Sequence, residues 1–151
     1  MGLTLSFIIG SSTTILEALA ADDYDLMYDN ITKEADFSFH LQPKDLQTLS
    51  ICASNFNAKN QMGLREQMKL LLNDKEKGLF SVERVWVEYI SAIPLEQAKD
   101  LCNMWFDEMQ KMYTNKNLFV TEDIIQAVEN LISLCQVCIN SDYELLHYWT
   151  L

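Results

Sequence analysis

The chain has 151 residues and a formal net charge of −11, from 22 acidic and 11 basic side chains. With 49% hydrophobic residues it carries enough apolar material for one buried core, which argues against disorder, and four Gly and two Pro argue against a fibrous or loop-rich chain. A field of this sign repels nucleic acid and anionic membrane and draws basic partners inward.

The charge is uneven. Residues 1–42 hold seven carboxylates against Lys33, residues 43–81 hold six cations against four carboxylates, and residues 82–151 hold eleven carboxylates against four cations. No Lys or Arg precedes the apolar start Leu3–Ile9 and no cleavage-site pattern follows it, so the expected location is cytoplasmic. In that compartment Cys52, Cys102, Cys135 and Cys138 stay reduced and read as small buried hydrophobes.

In chain order, Leu3, Leu5, Phe7 and Ile9 alternate with Thr4, Ser6 and Ile8, which predicts a strand ended by Gly10. Ser12 or Thr13 then caps a helix with Ile15, Leu16, Leu19 and Ala20 on its apolar side. The acidic stretch Asp22–Asn30 fits a further helical turn or an exposed loop. Phe37, Phe39 and Leu41 alternate with Asp36, Ser38 and His40, predicting a second strand with one wet face. Pro43 suits the first position of a helix whose stripe is Leu46, Leu49, Ala53 and Phe56. Leu64, Met68, Leu71 and Leu72 predict a short helix, closed by the charged turn Asn73–Gly78.

Residues 82–90 fit both periods. Val82, Val85, Trp86, Tyr89 and Ile90 have helical spacing, but β-branched and aromatic content with Pro94 close behind favours a strand. Two long helices follow. The first opens at Pro94 with Leu95, Ala98, Cys102, Trp105, Met109 and Met112 along one side. The second is capped by Thr121, with Glu122 and Asp123 at its dipole-favoured end and Ile125, Val128, Ile132 and Cys135 as its stripe. The chain closes on an aromatic strand around Tyr143–Thr150. The expected architecture is a single α+β domain over residues 1–151, with about four strands in one sheet and four to five packed helices, two of them long and in the C-terminal half.

Candidate chemistry is sparse. Counted from Asp23, a calcium loop would take Asp23, Asp25, Asp29 and Glu34, but Met27 and Tyr28 stand where a ligand and the turn glycine are required. Cys135 and Cys138 have the spacing of a zinc or redox pair, yet lie deep in a predicted helix with no second pair, so core packing is the reading. His40 and His147 each fall in a predicted strand, and no spacing ties either to a nucleophile or carboxylate. Met1–Ser6 formally matches an N-terminal acylation pattern. The first strand needs those residues and the acidic flank opposes an anionic membrane, so the match reads as accidental. Phosphate-binding glycine loops, metalloprotease and nucleophile-elbow motifs are absent.

These features predict a non-catalytic protein-binding module of the immunity or inhibitor type. It would dock a basic protein through Asp22, Asp23, Asp25, Asp29, Glu34 and Asp36, with no cofactor, metal, nucleic acid or membrane. Two other readings compete: a small enzyme or ligand binder with a His–carboxylate pocket, and a homodimer formed through an exposed edge strand at Tyr143–Thr150.

Overall fold

In the computed structural model, which describes residues 3–151, Thr4–Gly10 form strand β1, as their alternation dictates. The acylation-like pattern at Gly2 lies outside the described residues. Helix α1 (Ser12–Ala20) and the short α2 (Tyr24–Asp29) follow, then β2 (Ile31–Asp36), α3 (Pro43–Cys52) and its continuation α4 (Ser54–Asn57). Strands β3 (Met68–Asn73) and β4 (Lys77–Val82) make a hairpin. The helices α5 (Arg84–Ser91), α6 (Ala98–Met112) and α7 (Glu122–Ile139) and the closing strand β5 (Leu146–Thr150) complete the α+β fold.

All five strands pair antiparallel in the order β2-β1-β5-β4-β3. Because strand side chains alternate, β1 feeds two cores. Leu5, Phe7 and Ile9 join the larger one, beneath α3, α5, α6 and α7, and Ile8 joins the smaller one with Ile15, Leu19, Met27, Leu79, Leu146 and Tyr148 beneath α1 and α2.

Four local expectations are corrected. Residues 84–91 are helix, not strand: Trp86, Val87, Tyr89 and Ile90 are buried while Val85 and Glu88 face out, a helical period. Trp86 Nε1 donates to Ser50 Oγ at 2.8 Å and Tyr89 OH donates to the Ser50 carbonyl at 2.7 Å, so docking on α3 overrides the β propensity. The predicted helix at Leu64–Leu72 is instead one 3₁₀ turn, Arg65–Gln67, followed by β3. Asp74 explains this, since its carboxylate accepts the Glu76 and Lys77 amides at 2.8 and 3.0 Å and closes a hairpin that recruits the three leucines into the sheet. The second strand lies at Ile31–Asp36 rather than Phe37–Leu41. Asp36 accepts the Ser38 amide at 2.9 Å and His40 takes a left-handed φ of 60°, so Phe37–His40 turn away from the sheet. Finally, the aromatic C-terminal strand is not an edge. β5 is bonded on both sides, to β1 and β4, which removes it as a dimerisation surface, and the sheet ends instead at β2 and β3.

Gly10 is held by a close approach. A Cβ there would lie 2.1 Å from the backbone oxygen of Asn30, at the irregularity where β1 and β2 diverge. Gly10→Ala is expected to cost about 2–3 kcal/mol, read as a lowered urea midpoint with an unchanged slope.

His147 is 2% exposed, stacked 4.6 Å from the Phe7 ring, and its Nδ1–H donates to the Ser6 carbonyl at 2.9 Å. Burial pushes its pKa down to about 4, with the Ser6 bond pulling weakly the other way. The folded value lies below the unfolded value of 6.5, so the unfolded chain takes up the proton first and stability falls as pH drops from 6.5 towards 4. Between pH 7 and 4.5 the wild type should lose about 2–3 kcal/mol more than His147→Gln, measured by urea denaturation of both proteins at both pH values.

Candidate functional site

The acidic segment is a helical hairpin. After α1, Asp22 adopts a left-handed φ of 57°, which reverses the chain, and Asp23 caps α2 by accepting the Leu26 amide at 3.1 Å. Helix α2 buries only Met27. Tyr24, Leu26 and Tyr28 stand 37%, 42% and 48% exposed, three large side chains on one short helix.

The six predicted carboxylates divide by use. Asp22 pairs with Lys77, whose side chain is buried against it and whose ammonium pKa that bond raises; Asp74 lies 3.8 Å from the same ammonium. Asp23 is spent on the cap, and Asp36 on its turn. Glu34 turns inward, accepting from Ser6 Oγ at 2.7 Å and from Tyr148 OH at 3.1 Å, while Tyr28 OH lies 3.2 Å from Tyr148 OH. Asp25 and Asp29 make no side-chain hydrogen bond or ion pair among the described residues. Glu34 and Asp36 sit opposite Ile8 and Ser6 in the register, which puts them on the sheet face that α1 and α2 cover. All six predicted residues therefore belong to one side of the molecule, with Asp25 and Asp29 uncommitted.

The other candidates separate. His147 is a core residue. All four cysteines are buried and unbridged. Burial pushes the Cys52 thiol up to about 11 and Cys102 up to about 12, and raises Cys135 and Cys138 as well, which suppresses the thiolate needed for nucleophilic or redox work. Among the described residues no group of three or more His, Cys, Asp or Glu side chains is placed to hold a metal ion, and no helix is long and apolar enough to cross a membrane.

His40 does reach a cavity, on the opposite side of the sheet from α2. The space, about 260 Å³, opens between the start of α3, the end of α6 and the segment leading into α7. Its walls include Phe39, Phe106, Met109, Tyr113 and Phe119, the last 74% exposed. Asp45 also lines it and is 3% exposed. At the third position of α3, Asp45 accepts the Gln42 amide at 2.8 Å through Oδ2 and the Tyr113 hydroxyl at 2.7 Å through Oδ1. Its backbone carbonyl accepts Trp105 Nε1–H at 2.8 Å. Burial, reinforced by the Asp45 carboxylate, pushes the Tyr113 hydroxyl up to about 12. Lys44 and Lys116 place their ammonium groups 5.0 and 5.7 Å from the Tyr113 ring centre.

The sequence pointed to this site through His40, as one wall of a His–carboxylate pocket, but not through Asp45 or Tyr113. The local signal for Asp45 is its place three residues after Gln42 and just past Pro43, the spacing of a helix-start carboxylate. Asp45→Ala leaves a buried amide and a phenol without their acceptor and is expected to cost about 2–3 kcal/mol, whereas Tyr113→Phe should cost about 1 kcal/mol, both by urea denaturation.

The chain matches no protein-family model, no curated protein and no solved structure at a significant level.

Proposed function

We propose that this protein is an acidic, cytoplasmic, non-catalytic binding module of the inhibitor or immunity type, which docks a basic protein partner through α2. The supporting observation is that Tyr24, Leu26 and Tyr28 all project from a six-residue helix bracketed by Asp22, Asp23, Asp25 and Asp29. Exposed aromatic anchors within a polar rim are the usual make-up of an interface centre, because rigid rings bury much area at small entropic cost. The net charge of −11 supplies long-range attraction for a cationic partner.

The surface divides the labour. Asp22 and Asp23 hold the hairpin in shape, while Asp25 and Asp29 are free to meet lysine or arginine. Carboxylates placed this way occupy positions that phosphates would take on a basic protein, so binding would block that surface.

The test is affinity capture from source-cell lysate at low and high salt. The baits are the wild type, Asp25→Asn/Asp29→Asn and Tyr24→Ala/Leu26→Ala, all at exposed positions. The proposal expects a basic protein retained by the wild type at low salt. Its association should slow about tenfold in the charge variant, and it should dissociate faster from the apolar variant. Retention that ignores salt, or equal capture by all three baits, would overturn it.

A further inference from the structure

We infer that the cavity beside Tyr113 binds a primary ammonium carried on a small apolar body, with Asp45 as its anionic partner. The site is distinct from α2, on the other side of the sheet.

Three observations converge on a cation. First, Asp45 is 3% exposed yet forms no ion pair among the described residues; its two partners are a neutral amide and a neutral hydroxyl. A buried carboxylate is normally matched by a cation, and each of its oxygens still has a lone pair to offer. Second, the surrounding walls are aromatic. Tyr113, Phe39 and Phe106 line the space, and aromatic rings attract an ammonium while covering its apolar body. Third, the protein already places one ammonium group beside the Tyr113 ring at the cavity wall. The Lys116 side chain, which lines the cavity, lies 5.7 Å from the Tyr113 ring centre and makes no ion pair among the described residues. Lys116 is exposed, so its ammonium can leave the Tyr113 ring to a ligand.

The volume sets the size of the body. An apolar cavity of about 150 Å³ accommodates benzene, so about 260 Å³ suits one aromatic ring with a two-carbon arm. The ammonium on that arm has three N–H donors to offer the remaining lone pairs of Asp45.

Calorimetric titration of the wild type with 2-phenylethylamine, 2-phenylethanol and 3-phenylpropionate tests this, because the three share a ring and differ in charge. The amine should bind with a Kd of about 1 mM or tighter, at least about tenfold better than the alcohol, with the carboxylate weakest. Lys116→Met, which vacates the ammonium position without touching the core, should tighten the amine severalfold. Asp45→Asn keeps most of the local shape and should reduce amine binding to the level of the alcohol. A carboxylate that binds as well as the amine, a Lys116→Met variant that loses amine binding, or no amine binding at all by the folded wild type would each overturn the inference.

Discussion

Strand β5 lies in the sheet with a neighbour on each side, and it links the β1–β2 pair to the β3–β4 hairpin. The β1–β2 pair and the β3–β4 pair share no ladder of their own, so Leu146–Thr150 supply the backbone partners that make them one sheet. The alternation of β5 serves both cores at once. Leu146 and Tyr148 fill the smaller, while His147 stacks on Phe7 and Trp149 packs against the larger. A strand buried on both faces tolerates a polar side chain only when it is satisfied, and His147 meets that condition through the Ser6 carbonyl.

The two sides of the sheet are finished differently. Four helices close the larger core, whereas α1 and α2 cover the smaller as a thin layer. That layer buries Met27 and leaves the rest of α2 to solvent. Economy of burial there leaves an exposed, charged and aromatic helix at the surface. On the other side, α6 ends and α7 begins with a gap between them, and the gap is held open by a hydrogen-bonded carboxylate and phenol rather than filled by aliphatic packing.

Much of the architecture was legible in the pattern of residues. The strand at Thr4–Gly10 and the helices α6 and α7 have one dominant period each, and their stripes at Cys102, Trp105, Ile132 and Cys135 are buried as spacing requires. The failures cluster where two periods coexist. Leu70–Leu72 suit helix or strand, and the deciding atom is the Asp74 carboxylate in the turn beyond. At residues 84–91 the deciding groups are Ser50 Oγ and its carbonyl, on a helix more than thirty residues earlier. The acidic segment was legible as a location, but its inward uses were not. Nothing local to Glu34 indicates that Ser6 and Tyr148 will claim it. Of the cavity only His40 was a candidate, because Phe39, Asp45, Phe106 and Tyr113 come from separate elements and meet only after α6 packs on α3.

The central position of β5 also sets a clock. The Ser6–His147 contact spans 141 residues. At about 5–20 residues per second, β1 leaves the ribosome roughly 7–28 seconds before the strand that will cover its inner edge. During that interval the edge of β1 that β5 will cover has unpaired backbone N–H and C=O groups, a template for pairing with other chains. The first 42 residues carry seven carboxylates against one lysine, and like charge of that size opposes association between copies.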